Sequence, residues 1–233
     1  MNGFVHEEPH WPRAVLFDLD GTLIDSVPDI RAAVNELLAR RGLGPLPLDQ
    51  VKSMIGNGVQ KLVERAFAAT TESLSPAELQ DEYMAMLDIY AKHLTGLTTL
   101  MPGVRGALDA LHGEGVRLGL VTNKPQRFIE TILDHFRLAH FFGTVIGGDA
   151  GVAKKPAPDM LLAALDQFGA KPWDAVMVGD SVSDVKAARA AGTFAIIVRG
   201  GYTVVPVEQL GADVVIDSFR QLGGVLPTLK PAA

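Results

Sequence analysis

The sequence predicts an α/β protein, a Rossmann-like parallel sheet core carrying an inserted all-helical cap. Three observations predict it. Through the second half of the chain, short apolar runs alternate with stripes of helical spacing, the pattern of βαβ units. The first apolar run, Ala14-Val15-Leu16-Phe17, stands apart from that series, separated from it by residues 27–98, which carry no strand signal. Several runs end in carboxylate, hydroxyl or amide side chains, at the edge where open parallel sheets bind ligands.

Taken in order, the first run is uninterrupted, as expected of a strand buried on both faces, and ends in Asp18-Leu19-Asp20-Gly21. While the chain stays extended, residues two apart share a face, so Asp18 and Asp20 project to one side and Leu19 to the other. Ser26, Pro28 and Asp29 then mark a helix start: a hydroxyl cap, a proline in the first turn and an acid near the positive end of the dipole. The stripe Ile30, Ala33, Val34, Leu37, Leu38 continues to Gly42 and Gly44. A short helix follows over residues 49–55. Gly56-Asn57-Gly58 breaks the pattern, and Val59, Leu62, Val63, Ala66 and Phe67 resume it. Ser75-Pro76-Ala77-Glu78 is a capping box opening a longer helix with the stripe Leu79, Tyr83, Met86, Leu87, Tyr90.

Beyond residue 99 the alternation sets in. The stripe Val104, Ala107, Leu108, Leu111 precedes the run Leu118-Gly119-Leu120-Val121, which ends in Thr122-Asn123. Ile129, Ile132, Leu133 and Phe136 precede Val145-Ile146, and Leu161, Ala164, Leu165 and Phe168 precede Ala175-Val176-Met177-Val178, which ends in Gly179-Asp180-Ser181. Val185, Ala188 and Ala191 lead to Ala195-Ile196-Ile197-Val198, and Val214-Val215-Ile216 is the last run. The expected organisation is a core from residues 1–26 and 99–233, with a helical cap from residues 27–98. Because the insertion leaves the chain a few residues after Asp20, it is placed to cover the mouth of the first strand. The last residues, 230–233, are expected to fray.

Composition narrows the function. The 233 residues are 48% apolar, enough for a substantial core, and the net charge of −6 gives no footprint for nucleic acid or an anionic membrane surface. The absence of cysteine excludes disulfides, thiolate catalysis and Cys-based zinc sites. No run approaches the length of a membrane span, and residues 1–12, with Glu7, Glu8 and two histidines, do not read as a secretory signal. A cytoplasmic monomer or homodimer acting on a small molecule is the expectation.

If the sheet is parallel, Asp18, Asp20, Thr122, Asn123, Asp180, Ser181 and, one helical turn on, Asp184 all lie at one edge. Each has a plainer reading: the first two as a polar turn, Thr122 and Asn123 as a helix cap, Asp184 as a first-turn acid. Four carboxylates gathered together would repel one another unless a cation sat among them, and an all-oxygen set suits Mg2+ rather than zinc. Lys155 precedes Pro156, which holds it out of the helical region. Lysines at such places are otherwise solvated. Held beside the carboxylates, it would neutralise an acid nucleophile and an incoming phosphate together, which points to phosphoryl chemistry.

As a set, Asp18-Leu19-Asp20-Gly21-Thr22-Leu23, Val121-Thr122-Asn123, Lys155-Pro156 and Gly179-Asp180-Ser181-Val182-Ser183-Asp184 resemble the four motifs of the haloacid dehalogenase-like phosphohydrolase superfamily, over residues 13–198. Within it, Ile55-Gly56-Asn57-Gly58, Val145-Ile146-Gly147-Gly148-Asp149, Lys155-Pro156-Ala157-Pro158-Asp159 and Gly201-Tyr202 resemble bacterial phosphoglycolate phosphatases. The resemblance implies a Mg2+-dependent phosphomonoesterase that passes through an aspartyl-phosphate and hydrolyses 2-phosphoglycolate to glycolate and phosphate. It implies Asp18 as nucleophile, Asp20 as the proton donor and then the base, Thr122 as a phosphate ligand and Lys155 as a bridge between phosphate and nucleophile. The metal is implied on the side chains of Asp18 and Asp180 and the backbone carbonyl of Asp20, with Asp184 ordering its waters.

The cap is expected to decide the substrate. The N–H groups of Gly56, Asn57 and Gly58, with the helix N-terminus near Val59, would receive a small anion such as a carboxylate. A plain interhelical turn is the alternative, and Lys61 and Arg65 read as solvated. Other sugar phosphates, nucleotides or pyrophosphate, a phosphomutase, and a silent phosphate-binding module remain open. Dehalogenation is disfavoured because it needs neither Asp20 nor a cation, and phosphonate cleavage because neither Lys52 nor Lys61 is marked as a Schiff-base lysine.

Overall fold

The computed structural model describes residues 11–230. The readings placed on residues 1–10 and on the tail at 231–233 lie outside the described residues. In chain order the elements are β1 (Ala14–Phe17), β2 (Ile24–Asp25), α1 (Val27–Ala39), α2 (Leu48–Lys52), α3 (Val59–Ala68), α4 (Pro76–Tyr90), β3 (Thr99–Leu100), α5 (Val104–Gly113), β4 (Arg117–Val121), α6 (Gln126–His135), β5 (Phe142–Ile146), α7 (Asp159–Phe168), β6 (Ala175–Gly179), α8 (Val182–Ala191), β7 (Phe194–Val198), β8 (Val214–Ile216) and α9 (Leu222–Val225). No helix among the described residues is long and apolar enough to cross a membrane.

Six strands form one sheet in the order β5-β4-β1-β6-β7-β8, every pairing parallel. The uninterrupted apolar runs follow from this arrangement, because a parallel sheet is covered on both faces. All four residues of β1 are buried, and they divide by pleat: Val15 and Phe17 join the larger apolar cluster, Ala14 and Leu16 the smaller one under α7 and α8. From β1 the chain runs to β4 and β5 on one side, then returns to β6 on the other. The strand order therefore reverses at β1, and the crevice that opens at such a reversal lies outside its C-terminal end.

Helices α1 to α4 occupy the insertion. Where it leaves and rejoins the core, β2 and β3 pair antiparallel, Ile24 opposite Leu100 and Asp25 opposite Thr99. Two-residue strands are too short to show a period, so the sequence carries no sign of this ribbon. Ser26 occupies the N-cap position of α1 but makes no capping bond; its Oγ instead donates to Asp20 Oδ1 at 2.5 Å. Asp29 does more than face a helix dipole. Its buried carboxylate accepts from Leu97 N at 3.0 and 2.9 Å, Thr98 N at 2.7 Å and Thr98 Oγ1 at 2.7 Å, stapling the start of the insertion to its end. The helix expected over residues 49–55 stops at Lys52. The capping box of α4 forms as expected, with Glu78 N donating to Ser75 Oγ and Ser75 N to Glu78 Oε2. Insertion and sheet share one apolar cluster that runs from Phe17 through Leu23 and Ile30 to Leu62, Met86 and Phe128.

Candidate active site

The expected residues converge at the switch point. β1 ends at Phe17, and Asp18 continues along β6 through a hydrogen bond from its N–H to Val178 O at 3.0 Å. Asp20 is not carried there by an extended strand. The chain turns sharply after Leu19, whose carbonyl accepts from the amides of Thr22, Leu23 and Ile24, and this loop rather than strand alternation places Asp20 beside the cavity. Thr122, Asn123 and Lys124 follow β4, Asp180 follows β6, Asp184 lies in the first turn of α8, and Lys155 lies in the loop before α7.

On one side of Asp18, its carboxylate and those of Asp180 and Asp184 each offer an oxygen within 4.8 Å of the others, all three residues buried. Lys155 Nζ stands 2.7 Å from Asp184 Oδ1 and 2.9 Å from Asp18 Oδ1. The second approach is out of line for a hydrogen bond, so Asp18 Oδ1 is buried without a hydrogen-bond partner. Asp184 Oδ2 accepts from Ser181 N at 3.0 Å and Ser181 Oγ at 2.6 Å, closing a capping box on α8. Asp180 Oδ2 accepts from Tyr202 N at 2.5 Å. Glycine is required around this cluster: a Cβ at Gly179 would stand 2.3 Å from Asp184 Cγ, and one at Gly201 2.2 Å from Asp180 Cβ.

The charges do not balance within the protein. Burial pushes the Asp18 carboxyl up to about 6, against the pull of Lys155. Asp180 is pushed well above the usual carboxylate range, first by burial and then by the charges of Asp184 and Asp18. Burial alone would lower Lys155, but the two carboxylates that face it outweigh this and raise it. One ammonium among three buried carboxylates leaves the cluster short of positive charge. The donors are all oxygen and one of them is orphaned, so the residues fit a hard divalent cation such as Mg2+. Both oxygens of Asp184 accept short bonds, whereas Asp180 Oδ1 accepts only from Thr22 Oγ1 at 3.4 Å and Asp18 Oδ1 from nothing, which leaves those two oxygens the freer toward such an ion.

On the other side of Asp18, a residue that the sequence reading passed over occupies the centre. Lys124 Nζ contacts Asp20 Oδ1 at 2.8 Å and Oδ2 at 3.0 Å, and donates to Tyr90 Oη of α4 at 2.7 Å. Its side chain is 3% exposed. Burial would lower its pKa, but Asp20 and Tyr90 overcome this and hold it above the ordinary lysine range. Burial pushes the Tyr90 phenol up to about 12. The local signal was weak: Lys124 stands three residues past the end of a buried strand and just before Pro125.

Thr122 is buried, its Oγ1 accepting from Lys124 N at 3.3 Å. Asn123 does not cap α6. Its Nδ2 donates to Lys155 O and, across to the insertion, to Gly56 O, both at 2.9 Å. Asn57 Oδ1 accepts from Arg65 Nη2 and Met54 O from Arg65 Nη1, both at 2.8 Å, so Arg65 braces the turn rather than standing free in solvent. Lys61 pairs at the surface with Glu64. Gly56 and Gly58 hold φ of 110° and 86°, a region that favours glycine, and α3 begins directly after them. Together these groups enclose a cavity, with Asp18, Asp20, Thr122, Asn123 and Lys124 as its floor and Ile30, Ile55, Val59, Leu62, Met86 and Tyr90 toward the insertion.

A parallel sheet with a carboxylate-rich site at its switch point, covered by a helical insertion, defines the class as a Rossmann-like hydrolase. The chain belongs to the haloacid dehalogenase-like hydrolase family, whose model matches residues 15–198. It is 42% identical, over 95% of its length and 83% of the other, to a phosphoglycolate phosphatase of Pseudomonas putida. It is 41% identical to one of Caulobacter vibrioides, covering 92% and 91%. Among solved structures, a predicted phosphoglycolate phosphatase from Haemophilus somnus superposes with a TM-score of 0.87 at 31% identity, covering 91% of this chain and 97% of that one. The chain is an enzyme, a phosphatase-like hydrolase of this family.

Proposed function

We propose that the protein is a Mg2+-dependent phosphomonoesterase that hydrolyses 2-phosphoglycolate to glycolate and phosphate through an aspartyl-phosphate. The observation that carries this reading is Asp18 Oδ1: a buried carboxylate oxygen with no hydrogen-bond partner, at the switch point, 2.9 Å from Lys155. Asp18, Asp180 and the backbone carbonyl of Asp20 would hold Mg2+, with Asp184 ordering its waters. When bound, the ion supplies the missing positive charge and stabilises the charge on the transferring phosphoryl group.

An Asp18 oxygen attacks phosphorus in line and the ester bond breaks on the opposite side. Asp20 gives a proton to the departing glycolate oxygen. It then takes one from the water that attacks the phosphorus of the aspartyl-phosphate, which returns Asp18 and releases inorganic phosphate. Thr122 and Lys155 hold phosphate oxygens. Residues 27–98 serve as the lid: the Gly56-Asn57-Gly58 turn closes against Asn123, and the apolar residues above exclude water and leave room for a small substrate only. The names of the relatives support the choice of 2-phosphoglycolate, as do the apolar side chains of Ile30, Ile55, Val59, Leu62 and Met86, which make up most of the described lining above the floor.

A phosphate-release screen with Mg2+ over 2-phosphoglycolate, sugar phosphates, nucleotides and pyrophosphate tests this. Release is expected to be fastest from 2-phosphoglycolate, to stop on chelation and to fall to background in Asp18→Asn. Release that survives Asp18→Asn would remove the nucleophile assignment. A phosphoryl group that reappears on a second hydroxyl would make the enzyme a mutase.

A further inference from the structure

We propose that Lys124, together with the Tyr90 hydroxyl, binds the carboxylate of the substrate and so selects an ester with an anionic group beside its leaving oxygen over a neutral one. This rests on the phosphomonoesterase reading of the same site.

The first support is position. Among the described residues that line the cavity, Lys124 is the sole cation; Lys155 lies on the far side of Asp18, between it and Asp184. A phosphate at Asp18 has Lys155 for its charge. A second negative group on the same small molecule needs a second cation, and Lys124 supplies one.

The second support is distance. The proton donor must come within hydrogen-bond reach of the leaving oxygen, about 2.6–3.2 Å. In 2-phosphoglycolate the carboxylate carbon is only two bonds from that oxygen, so substrate carboxylate and Asp20 are forced close together. Once Asp20 has given its proton to the leaving oxygen, the two are anions in a cavity screened from solvent and repel strongly unless a cation stands between them. Lys124 Nζ is already 2.8 and 3.0 Å from the Asp20 oxygens, which places it within reach of both groups.

The third support is the contribution from the insertion. A buried ammonium needs acceptors for three N–H donors, and Asp20 offers it two oxygens. Lys124 gives its third donor to Tyr90 Oη, at 2.7 Å, and the phenol is held in place by the edge-on contact of its ring with Phe128 at 5.2 Å. Among the described residues the phenol O–H has no other partner, so it offers a donor to a carboxylate at the lid boundary, and the ammonium offers a second by exchanging one Asp20 oxygen for a substrate oxygen. An ester without the carboxylate would bring no anionic acceptor to the phenol O–H and the ammonium, which is how a buried polar group rejects the wrong substrate.

The test compares 2-phosphoglycolate with 2-hydroxyethyl phosphate, which replaces the carboxylate by a hydroxymethyl group on the same ester frame. The wild type is expected to prefer the carboxylated ester in kcat/KM. Lys124→Met is expected to shrink that ratio about 100-fold, and Tyr90→Phe about 3- to 10-fold, with circular dichroism confirming that both variants fold. Calorimetry with 3-phosphonopropionate and propylphosphonate, non-hydrolysable counterparts with and without the carboxylate, gives a second readout. The wild type should bind the first more tightly, and Lys124→Met should lose the difference. If both esters slow by the same factor in Lys124→Met and the phosphonate difference persists, Lys124 serves Asp20 alone and the proposal is overturned. A ratio unchanged in both variants overturns it as well. A wild type that cleaves neither ester yet discriminates the phosphonates through Lys124 removes the hydrolytic reading and supports the carboxylate site.

Discussion

Asp18 is costly to bury as an anion, and that cost has a measurable signature. Its carboxyl is raised from 3.8 to about 6 by burial, against Lys155. In the unfolded chain it ionises near 4, so between about pH 4 and 6 the folded protein holds a proton that the unfolded one has lost. The sign follows: on this group's account, metal-free stability is full below pH 4 and declines as pH rises to 6, by at most about 3 kcal/mol. Asp18→Asn removes the ionisation. The metal-free variant should therefore melt at a higher temperature than wild type at pH 7, with the gap closing toward pH 4 and shrinking when Mg2+ is added to both. Thermal melts at pH 4, 5.5 and 7 check this, and a variant less stable than wild type at pH 7 would contradict it. At this scale the sequence carries much of the site. Asp18, Thr122 and Asp180 stand where apolar runs stop, and residue type and strand end together mark them. Lys124 is not marked in that way, because its meaning comes from Asp20, 104 positions away, and from Tyr90, 34 away. A lysine's identity alone says nothing of its burial.

Elements were legible where a period had room to repeat. Both helical stripes and buried strands are several residues long, and the capping box at Ser75 and Glu78 is a local bond between local residues. The ribbon of β2 and β3 has no period to show, and Asp29 looks like any first-turn acid. Its partners at Leu97 and Thr98 are 68 and 69 positions off. Near it, Tyr202 Oη accepts from Ser26 N at 2.7 Å and donates to Asp25 Oδ1 at 3.0 Å, fastening the exit strand to the core. Asp29→Ala strips the acceptor from two backbone amides and the Thr98 hydroxyl, two of these three donors belonging to a buried residue. An unsatisfied buried donor costs about 1–3 kcal/mol. The variant is expected to lose about 2–4 kcal/mol in urea melts, most of that loss tracing to the junction of insertion and core. A loss below about 1 kcal/mol would mean that the staple is dispensable.

Over the whole molecule, the alternation of runs and stripes gives the parallel sheet, and the break in that alternation gives the insertion. Where the insertion rests is a matter of contacts that no periodicity encodes. Among the described residues, polar side chains span the gap at several places: Asn123 to Gly56 O, Lys124 to Tyr90, Arg127 to Asp88 at 3.6 Å, and Lys52, whose Nζ is 3.5 Å from Gly200 O and 5.6 Å from the centre of the Tyr202 ring. Asn123 is the one that grips the glycine turn directly. The turn's other bonds, from Arg65 to Asn57 and Met54, lie within the insertion and move with it. Asn123→Ala therefore cuts a tie between two bodies without unmaking either. The larger apolar cluster, continuous from sheet to insertion, keeps the fold. Hydrogen exchange should speed up at the amides of Ile55 and Leu62, which flank the turn and donate to Lys52 O and Gly58 O, and remain unchanged in β1 and β6, because loosening the turn frees the first set and not the second. Phosphate release should show a higher KM before it shows a lower kcat, since the closed state is populated less while Asp18 and Asp184 stay in place and Lys155, though it loses one backbone bond, keeps its pair with Asp184. Equal protection at Ile55 and Leu62 in variant and wild type would assign closure to the other contacts and leave Asn123 as a local brace for Lys155.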